Sequence, residues 1–315
     1  MGIVIGMDEA GYGPNLGPLV VTATVWEVQG SPRQVDFWKS FADCVTSTPV
    51  RRDARLHVAD SKQVYKSGAG LDALELGVCA ALRLMSFTPA SFSDLCVQLC
   101  RDSALDVEPW FAEADLPLPN SSATESADSE TAMLRWLECS EACGIRLKAV
   151  RCDVVLTRRF NELMRECGSK GVALSRISMK LLRDVWDPAQ EEPTVVFADK
   201  HGGRNRYDDL LAEVTDGAMI FRLAEGMEVS RYRVGATEIR FQARAEEHLP
   251  VALASMFSKY VRELSMMLFN DYWRRHIPDL KPTQGYPVDA RRFRNDIAEV
   301  QAQIGVSDEV LWRER

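Results

Sequence analysis

The chain has 315 residues, of which 46% are hydrophobic and 27% are charged, so it can bury a sizeable core and is not disordered throughout. Its formal net charge of −8 argues against a protein that holds nucleic acid by bulk electrostatics, although a local basic groove is compatible with it. No apolar run approaches the ~20 residues of a membrane span, and the N-terminus lacks a basic region and a small-residue cleavage site, so we expect a soluble, cytoplasmic protein without a membrane partner.

The first half of the chain predicts two strands and then mostly helices. The β-rich runs over 3–8 and 17–28 flank the sequence GYGPNLG, which indicates a hairpin-like connection. Residues 31–56 give mixed signals, with a short helical pattern around the sequence FWKSF and then a basic loop. Helices are predicted over 71–85 and over the sequence SFSDLCVQLCRD, with Ser91 or Ser93 as the N-cap.

The second half predicts alternating helices and strands. The stretch 116–130 is rich in Pro, Ser and acids and is typical of a surface loop or a flexible excursion. The sequence TVVFADK is a short apolar run that ends on an acid, as a buried parallel strand would. The other expected elements are helices near 130–142, 157–167, 173–186, 204–214 and 250–275, strands near 145–156, 218–222 and 227–233, and a helical pair after Asp289.

The eight cysteines show no disulfide-like regularity. Cys96/Cys100 and Cys139/Cys143 are each four residues apart, which would place each pair on one helical face and could supply four thiolates to zinc. Zinc sites more often use two-residue spacing around a tight turn, whereas free cysteines are commonly buried. We therefore expect reduced thiols in a reducing compartment, with a zinc site as the alternative.

Acidic residues at strand ends are the first candidates for chemistry. Asp8 and Glu9 end the first strand, Asp199 ends the strand VVFAD, and Glu263 lies inside the long helix. Acids at the carboxyl ends of neighbouring strands converge on the crevice where α/β sheets bind ligands. Clusters that offer only oxygen suit Mg²⁺ or Mn²⁺. These residues predict a metal-dependent α/β enzyme.

Each of these acids also has a simpler interpretation. An acid at a strand end is usually a solvated turn residue, and Glu263 on an amphipathic helix would usually face water. Adjacent strand residues point to opposite faces, so Asp8 and Glu9 can share a site only where the strand bends or ends. Gly11, Gly13 and Pro14 supply such a break.

Five motifs, in order across residues 1–290, resemble those of the ribonuclease HII family, the type 2 ribonucleases H. GMDEAGYGPNLGPLVVTA is similar to the opening Asp-Glu-Ala-Gly-Arg-Gly motif with its following Gly-Pro and apolar strand. VADSKQV resembles the Asp-Ser-Lys segment, and VVFADKHGG resembles the third acidic strand. ALASMFSKYVRE resembles the Ala-Ser-x-x-x-Lys-x-x-Arg-Asp helix, and QGYP resembles the Gly-Tyr that follows it.

The resemblance implies an α/β fold with a ribonuclease H-like mixed sheet flanked by helices. It implies one catalytic domain over 1–288, with inserted helical and loop segments at about 31–56 and 87–143 that match none of the motifs, and a C-terminal helical extension over 289–315. It also implies a metal-dependent endonuclease, expected as a monomer, that cleaves the RNA strand of RNA–DNA hybrids or cuts at ribonucleotides embedded in duplex DNA.

Roles for single residues follow only from the resemblance. Two divalent cations, Mg²⁺ or Mn²⁺, would be held by Asp8, Glu9, Asp199 and Glu263. The substrate contacts would come from residues of the same motifs: Gly11 and Gly13 at the 2′-OH, Tyr12 in the same loop, Ser61 and Lys62 in the Asp-Ser-Lys segment, Lys259 and Arg262 on the long helix at phosphates, and Tyr286 stacked on a sugar. The simpler interpretation of these residues is solvation, turn formation and packing.

Two residues depart from the family's pattern. Tyr12 stands where the family has Arg, which removes a cation from the ribose-sensing loop and adds a ring that could stack. Glu263 stands where the family has Asp, and the longer carboxylate moves its oxygens by over ~1 Å, a displacement that can cost roughly 10²-fold in rate.

Two alternative functions stay open, and the first of them is motivated by the replacement at Glu263. A non-cleaving protein of the same fold would bind hybrids without cutting them. An actin-like ATP phosphotransferase would also have an acid-bearing loop after its first strand, but Glu9 would place a negative charge against the phosphate, and the chain has no duplicated second half.

Overall fold

A computed structural model describes residues 1–65, 70–100 and 105–314. The strands are β1 Gly2–Ala10, β2 Leu19–Val28, β3 Val45–Thr46, β4 Leu56–His57, β5 Arg146–Val155, β6 Thr194–Asp199, β7 Ile220–Glu225, β8 Val229–Val234 and β9 Thr237–Gln242. The helices are α1 Phe37–Ser40, α2 Ser61–Val64, α3 Asp72–Leu84, α4 Phe92–Leu99, α5 Pro109–Ala112, α6 Ala127–Cys143, α7 Thr157–Cys167, α8 Lys170–Val185, α9 Asp208–Ala212, α10 Leu249–His276, α11 Pro287–Ile304 and α12 Asp308–Leu311. Short 3₁₀ turns cover Leu105–Val107, Ser122–Glu125 and Ala245–Glu247.

Seven strands form one mixed sheet in the order β5-β2-β1-β6-β9-β8-β7. β1 pairs antiparallel with β2 and parallel with β6, and β6 pairs parallel with β9. The carboxyl ends of β1, β6 and β9 therefore lie at one edge of the sheet. This architecture confirms the predicted α/β class with a mixed sheet flanked by helices.

The central strands are mostly apolar because helices cover both of their faces. α10 packs on one face of β1 and β2, and α8 packs on the other side of the sheet. Gly6 permits this approach, since a Cβ there would lie 2.2 Å from the carbonyl carbon of Pro250. No helix among the described residues is both long enough and apolar enough to cross a membrane.

Two strands differ from the sequence prediction. β1 continues past Asp8 and Glu9 and stays paired with β2 as far as Ala10 opposite Val20, so the strand does not end at the two acids. β9 was not predicted, because its sequence TEIRFQ mixes charged with apolar residues. Its glutamate and arginine point away from the apolar core, so the strand lacks the continuous apolar run that indicated β6.

The predicted insertions pack into the main core. Trp136 of α6 is fully buried and lies 6.5 Å from Trp26 and 6.0 Å from Phe41, ring centre to ring centre. The stretch 116–130 is not a free loop: the buried carboxylate of Glu75 accepts hydrogen bonds from backbone N–H groups within it. The domain boundaries themselves stay a prediction.

The cysteines are all free. Cys100 lies beside Cys96 and Cys152, whereas Cys139 and Cys143 lie beside Cys44. In the described part of the chain, no group of three or more His, Cys, Asp or Glu side chains is placed to hold a metal ion. The structure therefore gives no support to the zinc alternative.

Candidate active site

Three of the four predicted metal ligands interact at the carboxyl edge of β1 and β6. Burial raises the pKa of Asp8 well above its usual range, and repulsion from Glu9 and from Asp199 adds to this. Burial also raises the pKa of Glu9 to about 7, with repulsion from Asp199 as the next cause. The pKa of Asp199 is raised mainly by burial as well. Each of these carboxyl groups is harder to ionise when its neighbours are charged, as expected of adjacent acids without a counter-ion.

Two further acids, Asp60 and Glu246, extend this group. Repulsion from Asp60 contributes to the raised pKa of Asp199, and burial together with repulsion from Asp199 and Asp60 raises the pKa of Glu246. We call Asp8, Glu9, Asp60, Asp199 and Glu246 the acidic cluster. Asp60 lies inside the recognised Asp-Ser-Lys motif, whereas no sequence signal distinguishes Glu246 from the other surface acids.

Lys62 brings a positive charge to the acidic cluster. Its pKa is raised chiefly by Asp60, and also by Asp8, Glu246 and Glu9. Its side chain is 89% exposed, so its ammonium group can meet a ligand from solvent. Ser61 beside it is buried, and its backbone N–H and hydroxyl both contact the Ser255 hydroxyl on α10. The Asp-Ser-Lys segment is thereby fixed against the long helix.

Glu263 lies in a different set of contacts. Its carboxylate accepts a hydrogen bond from the Tyr65 hydroxyl at 2.9 Å and from the Lys259 ammonium at 2.5 Å. The Lys259 ammonium also lies 4.6 Å from the centre of the Tyr65 ring. The fourth predicted ligand therefore belongs to a largely buried ion pair, and Tyr65 is a residue of this region that the sequence did not predict.

Arg262 is buried and supports the neighbouring loop. One terminal nitrogen donates to the carbonyl oxygens of Gln284, at 2.9 Å, and Leu16, at 3.4 Å. Another terminal nitrogen lies 3.6 Å from the Glu263 carboxylate. Burial lowers the pKa of Arg262. The Arg262 side chain is only 1% exposed and contacts both the loop and Glu263.

We call residues 11–17, which lie in the connection between β1 and β2, the glycine loop. Gly11 has a φ of +91°, and a Cβ there would lie 2.5 Å from the Pro18 carbonyl oxygen and 2.7 Å from Nε of Arg262. Gly13 is exposed, and a Cβ there would meet no atom within 4 Å. Gly11 is therefore required by the fold, whereas the fold does not require Gly13.

Tyr12 lies between these glycines with its ring half-buried. The Lys170 ammonium donates to the Tyr12 carbonyl oxygen at 3.3 Å and lies 5.7 Å from the ring centre. Burial raises the pKa of Tyr12, and the charge of Glu9 adds to this. The ring therefore lies next to the acidic cluster, at the position where the resembling family has an arginine.

The QGYP segment packs directly on the glycine loop. The carbonyl oxygen of Gly285 accepts from the backbone N–H groups of Asn15, at 2.8 Å, and Leu16, at 3.3 Å. Gly285 has a φ of +79°, and a Cβ there would lie 2.4 Å from the Leu16 carbonyl oxygen. Tyr286 follows and is 52% exposed. A ring for stacking is thus available beside the loop.

Arg313, near the end of the chain, also holds the glycine loop. Its terminal nitrogens donate to the carbonyl oxygens of Gly11 at 2.7 Å, Gly17 at 3.3 Å and Tyr12 at 3.3 Å. Its guanidinium lies 4.2 Å from the ring centre of Phe160, and its side chain is fully buried. This residue was not predicted, since nothing in the local sequence links it to a loop about 300 positions away.

The acidic cluster fits a hard divalent cation by its chemistry. It offers only oxygen ligands, and its carboxyl groups raise one another's pKa, a repulsion that a cation would relieve. In the described residues its side chains do not converge on one point. Binding would therefore require these side chains to turn toward one another.

The chain is similar to several solved ribonuclease H structures. The PCNA:RNase HII complex from Archaeoglobus fulgidus matches with 16% identity over 99% of this chain and 94% of that chain, at a TM-score of 0.41. The ribonuclease H2 from Pyrococcus horikoshii matches with 15% identity over 98% of this chain and 92% of that chain, at a TM-score of 0.46. Bst-RNase HIII in complex with Mn²⁺ matches with 17% identity over 99% of this chain and 66% of that chain, at a TM-score of 0.40. No protein-family model and no curated protein matches the chain.

Proposed function

We propose that the chain is a metal-dependent endonuclease that cleaves the RNA strand of RNA–DNA hybrids or cuts at ribonucleotides embedded in duplex DNA. The observation that carries the proposal is the interaction of Asp8, Glu9 and Asp199 at one edge of the sheet, next to the glycine loop. Two divalent cations, Mg²⁺ or Mn²⁺, held by these acids and Glu263, would supply the charge that clamps a phosphate and activates water.

The chain's own residues would bind and orient the substrate. Lys62 is exposed beside the acidic cluster and would contact a phosphate without reading sequence. The open backbone at Gly13 would admit a sugar and its 2′-OH. Tyr286 would stack against the neighbouring sugar. The side chains of Lys259 and Arg262 are only 15% and 1% exposed, so in this proposal they act by holding Glu263 and the glycine loop.

One assay tests the proposal directly. A labelled uniform hybrid and a DNA duplex with one ribonucleotide are each incubated with Mg²⁺ or Mn²⁺. Wild-type protein should cut at least one of them, Asp8→Asn should abolish cutting, and the exposed-site control Asp43→Asn should cut normally. Undiminished metal-dependent cutting by Asp8→Asn would contradict the proposal. Tight binding of the hybrid by wild-type protein without cutting would favour the non-cleaving alternative.

The contacts of Glu263 are the observation that favours this alternative. Its carboxylate accepts hydrogen bonds from Tyr65 and Lys259 and lies close to Arg262. These contacts are sufficient to give Glu263 a structural role without a metal ion. If Glu263 also binds metal, Glu263→Gln should impair cutting, and Glu263→Asp should retain it with a changed Mg²⁺/Mn²⁺ preference. If Glu263 only stabilises the fold, both variants should lower stability in a chelator, and the metal preference should stay unchanged.

A further inference from the structure

Part of one sheet face is open and carries arginines. Along β8, Ser230, Tyr232 and Val234 are buried, whereas Arg231 and Arg233 alternate with them and are exposed. The same side of β9 carries Arg240, which is paired in register with Arg231. We call Arg231, Arg233 and Arg240, with Arg33 beside them, the arginine face.

The arginine face is continuous with the site. Phe197 and Asp199 are two residues apart on β6, so their side chains share one side of the sheet. Phe197 is paired in register with Arg240, whose guanidinium lies 5.3 Å from the Phe197 ring centre. Asp199 is paired with Gln242, two residues further along β9, which is ~7 Å of strand.

The charge of this face is opposite to that of the whole chain. Three of its four arginines surround one buried acid, Glu238, which lies 3.1 Å from Arg33, 2.7 Å from Arg240 and 4.0 Å from Arg231. The fourth, Arg233, lies 4.7 Å from the ring centre of Phe221. The face is thus a local excess of positive charge in a chain of net charge −8. Fixed, partly exposed guanidinium groups of this kind suit phosphates.

We propose that the arginine face binds the phosphate backbone of the nucleic-acid duplex beyond the scissile phosphate. The inference rests on the proposed function, which puts the scissile phosphate at the acidic cluster. Arg231 and Arg233 are two residues apart on β8, which is ~7 Å of strand and corresponds to roughly two phosphates along one strand of a duplex. Contacts of this type position the duplex and are independent of its sequence.

A double variant tests this inference. Arg231→Gln/Arg233→Gln removes two charges from the face, and Arg274→Gln/Arg275→Gln removes two from the end of α10, where both side chains are 44% exposed, as is that of Arg231. Binding of a labelled uniform hybrid to the full chain is measured by fluorescence anisotropy in chelator, over a series of KCl concentrations. The face variant should bind about ten-fold more weakly, with the salt slope reduced by about 1.8, or about 0.9 for each lost phosphate contact. The control variant should keep the wild-type slope.

Hybrids extended on only one side of the cleavage position give a second measurement. Because the face lies to one side of the acidic cluster, KM should rise for the face variant with one of the two hybrids only. Unchanged affinity and slope, or an equal loss in the control variant, would overturn the inference. Selective loss of binding to polyglutamate, with hybrid binding intact, would also overturn it and assign the face to an acidic protein.

These results separate this inference from the proposed nuclease. If wild-type protein cuts the hybrid and the face variant binds it normally, only the arginine face is refuted. If the face variant loses hybrid affinity but wild-type protein does not cut, the binding surface stands and the nuclease is refuted.

Discussion

At the scale of single residues, the two glycines of the glycine loop differ in what their missing side chains permit. Gly11 is in the left-handed region and is packed against Pro18 and Arg262. Gly13 faces open space. A glycine that the fold does not require is a candidate for close approach by a ligand. Gly11 is therefore needed for folding, whereas Gly13 is a candidate for contact with the substrate.

Gly13→Ala should leave stability within about 0.5 kcal/mol of wild type, because the added methyl group meets no atom. Cleavage should fall, since the methyl group would occupy the space that we assign to the sugar. Thermal unfolding and cleavage rate are the two measurements. Gly226→Ala is the matched control, because a Cβ there makes only ordinary contact at 3.7 Å. Normal cleavage by Gly13→Ala would remove Gly13 from the substrate contacts.

At the scale of secondary-structure elements, the C-terminal segment contributes to the site through Arg313. Burial and repulsion from Arg262 hold the pKa of Arg313 below its usual range, so its charge is costly to bury. Three carbonyl oxygens of the glycine loop and the Phe160 ring compensate for that cost. The segment that the sequence predicted as an extension is therefore part of the support of the loop.

Arg313→Met should destabilise the protein by about 3 kcal/mol, because it leaves buried carbonyl oxygens without donors. It should also raise KM for the hybrid as the glycine loop loses its support, and Arg313→Lys should be intermediate. Arg294→Met is the control, since that side chain is 41% exposed and its loss should cost under about 0.5 kcal/mol. Urea unfolding and steady-state cleavage measure both effects. Equal stability of the two methionine variants would show that the buried contacts contribute little.

The stretch 116–130 gives a second prediction at this scale. Glu75 is fully buried and accepts hydrogen bonds from the backbone N–H groups of Asn120, at 2.8 Å, and Ser121, at 2.6 Å, and from the Tyr260 hydroxyl. Glu75→Gln should cost about 2 kcal/mol and should speed proteolysis within this stretch under native conditions. The control Asp72→Asn, which alters an exposed contact to the Ser121 hydroxyl, should not speed proteolysis there. Mass spectrometry of the first fragments locates the cut, and a first cut elsewhere in the Glu75 variant would argue against this contact as the restraint.

The sequence predicted those features that depend on local pattern. β6 was evident because an apolar run between polar residues is typical of a buried strand. The proximity of Asp8, Glu9 and Asp199 follows from the parallel pairing of β1 with β6, although β1 ends after Ala10 and not at the two acids. Tyr65 and Arg313 were missed because their contacts join positions that are far apart in the chain. β9 was missed because its charged residues face the open side of the sheet.

At the scale of the whole molecule, charge is distributed unevenly. The net charge of −8 includes the acidic cluster, whose carboxyl groups are held close together, while the arginine face lies on the same side of the sheet as Asp199. A phosphate backbone can meet the arginines directly, but it meets the acids only when their charge is compensated. Ligand binding and folding stability are therefore linked through the same carboxyl groups.

This linkage gives a prediction for the metal-free protein. The pKa of Glu9 is raised from 4.5 to about 7, so between these values the folded chain binds more protons than the unfolded chain does. The free energy of unfolding should consequently fall as pH rises from about 4.5 to about 7, by on the order of 3 kcal/mol for Glu9 at about 1.4 kcal/mol per pH unit. Urea unfolding in chelator at several pH values measures the slope.

Two variants and added metal complete this test. Glu9→Gln should reduce the fall in stability, because the amide does not ionise, whereas the exposed control Glu309→Gln should not. Adding Mg²⁺ or Mn²⁺ at pH 7 should restore stability in the wild type, since a cation that binds only the folded cluster shifts the equilibrium toward it. Stability that rises with pH in chelator, or that ignores added metal, would contradict a cluster of acids that repel one another until a cation binds.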